Sequence, residues 1–154
     1  MAVFVMVENE KGEYLLQRRQ GTGFLDGHFD ASASGHLEYD ESLQSCGTRE
    51  LYEETGLVVK DEDLELTAVF QSDFEAGVRY LNAVFRTSTF SGSVHNGEPT
   101  KIDKLDWYAP KVFPSKLTVG VRVFLESLST AEVSSYYIDA KEYKKLMGES
   151  YTEV

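Results

Sequence analysis

Cysteine is almost absent from this sequence, and that scarcity limits both its chemistry and its location. The single cysteine, Cys46, excludes an internal disulfide bond. No cysteine or histidine accompanies it at metal-ligand spacing, so we predict that Cys46 is a small buried residue. Chains without disulfides are typical of reducing compartments, and we therefore expect a cytoplasmic protein.

Positive charge is also in short supply, which bears on the kind of partner. Fifteen Lys and Arg against 26 Asp and Glu give a formal net charge of -11, and no basic run offsets it. Such a chain is repelled by polyanions, so we expect no nucleic-acid partner and no anionic membrane as a partner. Long apolar runs are missing too, because no stretch reaches the roughly 20 apolar residues of a membrane-spanning helix.

What remains is typical of one globular domain over residues 1–154, with 42% hydrophobic and 27% charged residues. The run AVFVMVEN predicts a strand rather than a signal peptide, because it lacks a basic lead and a cleavage site. With YLLQRR it predicts a β-hairpin. We predict loops over 20–35, with a short strand near 29–33, and over 91–100. Further strands are predicted at 64–74, 78–90 and 104–110, and the segment after Ser129 is undecided.

Two helices are predicted. The clearer one covers residues 41–55, with Ser42 as a cap near its start and Gly56 as the glycine that ends it. The second follows Pro114, where apolar residues recur at helical spacing. That apolar stripe consists of Leu117, Val121, Phe124, Leu125 and Leu128.

Three glutamates crowd the C-terminal half of the first helix: Glu50, Glu53 and Glu54. At about 100° per residue they share an arc of about 100°, so their charges repel one another across one helix face. Charge clusters of this kind are usually a solvated surface, and for these residues alone that interpretation stays open.

Two observations favour a bound cation instead. Glu54 continues the stripe formed by Leu43, Gly47 and Leu51, so it is expected to face inward, where an unpaired carboxylate is costly. The carboxylates also lie near the helix C-terminus, where the macrodipole disfavours negative charge. A divalent cation relieves both problems. Because no histidine lies close in sequence, these hard oxygen ligands favour Mg²⁺, or Mn²⁺, over zinc.

Residues 35–57 also fit a spaced motif, Gly-x5-Glu-x7-Arg-Glu-U-x-Glu-Glu-x-Gly-U, in which U is aliphatic. The motif resembles the Nudix box, and seven of its nine specified positions require one residue type, so chance is a poor explanation. The resemblance to the Nudix (MutT-like) hydrolase family extends over roughly residues 3–128. All nine positions are filled, by Gly35, Glu41, Arg49, Glu50, Leu51, Glu53, Glu54, Gly56 and Leu57.

The resemblance implies an α/β fold, a Nudix-type α/β/α sandwich with a mixed β-sheet between helices. It implies Mg²⁺-dependent hydrolysis of the pyrophosphate bond of a nucleoside diphosphate linked to another group. Many members have Pro-Gly-Gly where this chain has Ala33, Ser34 and Gly35. That departure removes no catalytic group, although it affects the shape of the loop.

The resemblance also assigns roles to residues of the box. Glu41 and Gly56 match structural positions, and Arg49 matches a position that ties the helix to the loop. We count Arg49, Glu53 and Glu54 with the catalytic residues. The implied metal ligands are the carboxylates of Glu50, Glu53 and Glu54 and the main-chain carbonyl of Ser34.

Four further residues are candidates for the site. Arg19 matches a strand-end position that contacts substrate phosphate in some relatives, and a surface salt bridge is an equal alternative. Glu98, in the predicted loop, is a candidate metal ligand or general base. Gly35 and His36 are candidates for the phosphate site, although for His36 a hydrogen bond that stabilises the loop competes with that role.

For a short single-domain chain we expect a nucleoside triphosphate-type substrate, hydrolysed to a nucleoside monophosphate and pyrophosphate. The partner is then a small-molecule nucleotide, and the chain is a monomer or a homodimer. Three alternatives stay open. They are a sugar-nucleotide or ADP-ribose hydrolase, an isomerase-like enzyme, which would require a cysteine in the loop, and a nucleotide sensor without turnover, which would be expected to have lost box glutamates.

Overall fold

The computed structural model describes residues 1–73 and 77–147, and the fold is built on two β-sheets and three α-helices. The described chain contains eight strands and three α-helices. In chain order they are β1 (Ala2–Val7), β2 (Tyr14–Arg19), β3 (Phe29–Asp30), β4 (Ala33–His36), α1 (Leu43–Thr55), β5 (Glu65–Asp73), β6 (Arg79–Thr87), β7 (Ile102–Tyr108), α2 (Val119–Ser127), β8 (Ser134–Ile138) and α3 (Ala140–Met147).

The larger sheet is mixed and has the strand order β4-β1-β6-β5-β8. Strand β1 pairs antiparallel with β4 and parallel with β6, and β5 pairs antiparallel with β6 and parallel with β8. The smaller sheet is antiparallel, with β2 between β3 and β7. The predicted α/β fold with a mixed sheet is therefore confirmed, and the separate antiparallel sheet is an addition to it.

Strand β1 runs through the middle of the molecule and is buried on both faces. Val3, Val5 and Val7 point to a core cluster that contains Leu51 of α1. Met6 points to the opposite side, into a cluster that contains residues of α2 and α3. This alternation is the period of two that a strand imposes. Helices therefore cover both faces of the mixed sheet, as the predicted sandwich requires.

The predicted hairpin between β1 and β2 forms only at its tip, where Glu8 and Tyr14 make an antiparallel bridge and Asn9 N donates to Glu13 O at 2.9 Å. Beyond the tip the two strands separate into different sheets. The reason is the hydroxyl of Ser32, which accepts a hydrogen bond from Val7 N at 2.9 Å and donates to Leu15 O at 2.6 Å. A side chain thus satisfies backbone groups that the hairpin ladder would otherwise have paired.

Most other predicted elements are present with shifted ends. Helix α1 begins after Ser42, whose hydroxyl accepts a hydrogen bond from Ser45 N, and it ends at Gly56, which has a φ of 76°. In the apolar stripe of the second helix Leu117, Val121 and Phe124 are buried, Leu125 is half-buried, and Leu128 is 38% exposed. The undecided segment after Ser129 contains β8 and α3.

The predictions for Cys46, for the strand at 64–74 and for the number of domains remain to be compared with the structure. Cys46 is buried, as predicted. The strand predicted over 64–74 is observed as Glu65–Asp73, and Phe74 lies outside the described residues. A single domain over 1–154 stays a prediction, since 148–154 also lie outside them. In the ranges 1–73 and 77–147, no helix combines the length and apolar character needed to span a membrane.

Candidate metal and diphosphate site

The site begins where α1 crosses β4, at an unusually close contact. Gly35 of β4 lies against the side chain of Glu50, and a Cβ atom at Gly35 would overlap the Glu50 carboxyl group. Glycine therefore permits the helix and the strand to approach closely. This contact places the helix glutamates at the edge of the strand.

A cleft of about 720 Å³ opens at this edge. It joins residues that are far apart in the sequence, and both signs of charge face into it. The predicted carboxylates Glu50, Glu53, Glu54 and Glu98 line it together with the cationic side chains of Arg19, Arg49 and Lys101.

Glu54 is the buried member of the cluster, with only 6% of its surface exposed. Its Oε1 accepts a hydrogen bond from Gln17 Nε2 at 3.2 Å, and its Oε2 accepts one from Ser34 N at 3.0 Å. Burial nevertheless raises the pKa of this carboxyl well above its ordinary value, and the nearby charges of Glu50 and Asp30 add to the increase. The inward orientation predicted for Glu54 is therefore observed.

Glu50 is half-buried and is paired with its neighbour in sequence. Its Oε1 accepts a hydrogen bond from Arg49 Nη1 at 2.9 Å. Burial still raises the pKa of Glu50, helped by the negative charges of Glu53 and Glu98, while Arg49 opposes that shift. Negative charge is thus in excess at this end of the cleft.

Arg49 links the helix to the preceding loop. Its Nε and Nη2 donate to the two carboxylate oxygens of Glu41 at 2.7 and 3.2 Å, and Nη2 also donates to His36 O at 3.3 Å. A longer contact of 3.4 Å joins Nη1 to Glu53. The guanidinium of Arg49 lowers the pKa of Glu41 to about 2. These bonds support the predicted role of Arg49 and Glu41 in tying the helix to the loop.

The loop after β6 brings Glu98 to the cleft by bonding to the end of α1. His95 N donates to Thr55 O at 2.9 Å, and Gly97 N donates to Glu54 O at 3.0 Å. The loop therefore supplies donors to the last carbonyl groups of the helix. No described residue forms a hydrogen bond or an ion pair with the Glu98 carboxylate.

The four candidates from β2 and β4 have different surroundings. Arg19 Nε donates to Phe24 O at 3.0 Å, and Nη1 lies 3.4 Å from Asp30 Oδ2, so this side chain is held by the protein while it lines the cleft. Ser34 donates its N–H to Glu54, and Gly35 and His36 line the cleft beside it. The ring of His36 is exposed and lies 6.0 Å from that of Tyr80.

Among the cleft residues that sequence reasoning missed, Gln17 and Lys101 matter most for its polarity and charge. Gln17 is 3% exposed and donates to both Glu54 and Ser32 O, and Lys101 adds a cation to the lining of the cleft. A signal for Gln17 was available, since it is a polar residue in a buried strand. For Lys101 no local pattern distinguishes a site residue from an ordinary surface lysine.

The donor chemistry of the cleft fits a hard divalent cation. In the described part of the chain, no three Asp, Glu, His or Cys side chains converge closely enough to form a ready metal site. Arg49 helps to keep the carboxylates apart, because it bonds Glu50 and contacts Glu53. Carboxylate oxygens are nevertheless the ligands that Mg²⁺ prefers. The raised pKa values of Glu50 and Glu54 identify the negative charge that a cation would stabilise.

The domain is an α/β sandwich, with helices on both faces of a mixed sheet and an acidic cleft where Gly35 contacts Glu50. Comparison with known proteins identifies its family. The family model of the NUDIX domain matches residues 1–128. The chain belongs to the NUDIX domain family, and the predicted Nudix hydrolase family is thereby confirmed.

Individual relatives agree with this assignment. Over 57 residues the chain is 40% identical to the Uncharacterized Nudix hydrolase YfcD of Escherichia coli (strain K12), a match that covers 36% of this chain and 32% of that protein. The chain thus spans about a third of the length of the curated relatives it matches.

Solved structures show the same fold. The MutT NUDIX hydrolase from Burkholderia pseudomallei superimposes with a TM-score of 0.70 at 24% identity, over 82% of this chain and 98% of that one. The mMutator MutT protein from Bacillus halodurans gives a TM-score of 0.71 at 21% identity, over 91% of this chain and 90% of that one. At these identities the likeness concerns the fold alone.

Proposed function

We propose that this chain is a Mg²⁺-dependent pyrophosphohydrolase that acts on a nucleoside diphosphate linked to another group. The expected substrate is of the nucleoside triphosphate type, and the expected products are a nucleoside monophosphate and pyrophosphate. The observation that carries the proposal is the cleft in which Glu50, Glu53, Glu54 and Glu98 face the cations of Arg19 and Lys101. A diphosphate needs both features, since its negative charge must be neutralised on more than one side.

The cleft residues form two groups, oxygen ligands for a metal ion and cations for phosphate. Glu50, Glu53 and Glu54, with the carbonyl of Ser34, would hold Mg²⁺ or Mn²⁺, which when bound neutralises phosphate charge and makes water more acidic. Arg19, which lines the same cleft, would bind phosphate oxygens through its guanidinium donors. Lys101 binds the same diphosphate as a point charge. Gly35 and His36 border this space, so they contact the ligand rather than react with it.

Proton transfer requires a carboxylate that is free to move. Glu98 meets this requirement, because no described residue bonds its carboxylate. Glu53 is the second candidate, since its side chain is 49% exposed and contacts Arg49 only at 3.4 Å. We assign Glu98 as the base that takes the proton from the attacking water, with Glu53 as a metal ligand. Arg49 acts as a positioning residue, because its donors are occupied by Glu41 and Glu50.

The alternatives are separable by their products. A sugar-nucleotide or ADP-ribose hydrolase would release a nucleoside monophosphate and a phosphorylated sugar without pyrophosphate. An isomerase-like activity is disfavoured, since burial raises the pKa of the Cys46 thiol to about 11 and the residue lies within α1. A sensor would bind nucleotides without turnover.

The test is a screen of nucleoside triphosphates, nucleotide sugars and ADP-ribose with Mg²⁺, with the products separated by chromatography. We expect pyrophosphate release from triphosphates, its loss in excess EDTA, and its return with Mg²⁺ or Mn²⁺. Glu98→Gln should lower kcat by about 100-fold, within the range for loss of a general base, and leave the melting temperature unchanged. Full turnover in EDTA, or no turnover of any compound with metal present, would overturn the proposal.

A further inference from the structure

A second cavity, of about 480 Å³, adjoins the glutamate cleft. Arg19, Ser34, Gly35 and His36 line both spaces, so the two adjoin at these residues. The volume lies within the roughly 300–1,000 Å³ that is typical of small-molecule sites. Aromatic side chains form part of its walls, together with aliphatic and polar residues, and they are Phe4, Phe24, Phe70, Tyr80 and Tyr143.

One wall of this cavity carries a buried amide whose orientation is fixed. Asn82 of β6 is 4% exposed, and its Nδ2 donates to Phe70 O and to Ser72 Oγ, both at 3.3 Å. A main-chain carbonyl can only accept hydrogen bonds, so the nitrogen and not the oxygen of the amide must face Phe70. The oxygen atom Oδ1 is therefore directed elsewhere.

Asn82 Oδ1 is an open acceptor. No described residue donates a hydrogen bond to it, and it is not among the described side-chain atoms that are both unpaired and sealed from solvent. Since Asn82 lines the cavity, the cavity is the space from which Oδ1 is reached. A ligand that fills the cavity displaces water from this acceptor, and it leaves the acceptor unpaired at a cost in free energy unless it supplies a donor of its own.

Ser72 adds a donor beside this acceptor. Its side chain also lines the cavity, and its Oγ accepts the bond from Asn82 Nδ2. A hydroxyl that accepts still has one hydrogen to donate, and no described residue receives it. The wall therefore presents an acceptor and a donor next to each other.

We infer that this cavity holds the nucleobase of the substrate, and that Asn82 and Ser72 select a base whose edge carries an amine N–H donor beside a ring acceptor. The inference rests on the proposed function, which places the diphosphate in the adjoining cleft. Aromatic side chains in the lining suit a planar base, which stacks on or packs edge-on against such rings. A base without the N–H would leave Asn82 Oδ1 unpaired, so the site rejects it.

The test uses pairs of nucleotides that differ only in the amine. Adenosine triphosphate is compared with purine riboside triphosphate, and cytidine triphosphate with its pyrimidin-2-one analogue, by kcat/KM. Binding of the four corresponding monophosphates is measured by calorimetry without metal. In at least one pair we expect the amine-bearing member to be favoured by about 10- to 100-fold, the effect of one buried hydrogen bond.

Asn82→Leu should abolish that preference, by weakening binding of the amine-bearing base and leaving binding of the analogue unchanged. Leu81→Val is the matched control, because this 51% exposed neighbour lies on the opposite face of the same strand and should keep the preference. If Asn82→Leu does not fold, Ser72→Ala serves instead, with an expected loss of about tenfold in affinity for the amine-bearing base.

The outcomes separate the two proposals. Turnover of triphosphates with no amine preference in either pair overturns the inference and leaves the proposed function intact. Absence of all turnover, with the amine preference kept in monophosphate binding, overturns the proposed function and supports the role of Asn82. An amine preference that survives Asn82→Leu also overturns the inference, because another group must then read the base.

Discussion

Arg49 offers the sharpest test of how the acidic helix is stabilised. Arg49→Ala removes the guanidinium that bonds both carboxylate oxygens of Glu41 and one oxygen of Glu50. Glu50 is half-buried, and burial already raises its pKa. The variant therefore leaves a poorly solvated carboxylate with less compensation, which is the costly way to break an ion pair.

The expected magnitude follows from these contacts. A lost hydrogen bond to a charged group costs about 1.5–3 kcal/mol, and Arg49 makes short bonds to two carboxylates at 2.7 and 2.9 Å. Its side chain is 24% exposed, so water replaces part of the loss. We expect Arg49→Ala to lower the free energy of unfolding by about 2–3 kcal/mol. At this chain length the melting temperature should then fall by about 4–10 °C.

The assay is urea unfolding without metal, read by circular dichroism. Arg18→Ala is the matched control, because Arg18 also makes a two-bond pair, with Asp103 at 2.7 and 3.0 Å, but on the surface. Exposed pairs contribute about 0–1 kcal/mol. Equal losses in the two variants would refute the reasoning, since partial burial at Arg49 would then contribute nothing.

The remaining predictions concern acid stability, metal binding and the glycine contact. Because Arg49 lowers the pKa of Glu41 to about 2 from its ordinary 4.5, the pair stabilises the fold above pH 4.5 and less as the pH falls toward 2. In Arg49→Ala the free energy of unfolding should therefore depend less on pH between about 4.5 and 2. An unchanged dependence in this range would show that the Arg49–Glu41 pair does not cause it. Glu53→Gln should reduce kcat and the Mg²⁺-induced rise in melting temperature, without destabilising the metal-free protein; a normal kcat with the parent's Mg²⁺ shift would contradict its ligand role. Gly35→Ala should lower both stability and activity, because the added methyl group would overlap Glu50. A melting temperature equal to that of the parent would show that Glu50 moves aside without cost.

Sequence reasoning succeeded where the relevant pattern is local. Helix α1, its serine cap and its terminal glycine follow from residues within one segment, and so does the inward orientation of Glu54. The family was likewise predicted from one motif of 23 residues, over 35–57, that folds as a unit. In these cases the spacing of residues is itself the structural information.

Non-local contacts were not predictable in the same way. The bridge made by Ser32 between Val7 and Leu15 sends β1 and β2 into different sheets, and no feature of the apparent hairpin indicates it. Lys101 joins the cleft only because the loop after β6 returns to α1. The roles of Arg19 and Glu98 stay predictions, since their geometry agrees with the assigned roles but does not test them.

The bonds between that loop and the end of α1 have a consequence for motion. His95 and Gly97 donate to the carbonyls of Thr55 and Glu54, so these two loop amides are tied to the last turn of the helix. Their hydrogen exchange should therefore follow that of α1 and not that of an ordinary surface loop. Glu98, one residue further on, then moves with the helix as part of one cooperative unit. Glu98 and the helix glutamates are therefore expected to keep their spacing through fluctuations that displace the rest of the loop.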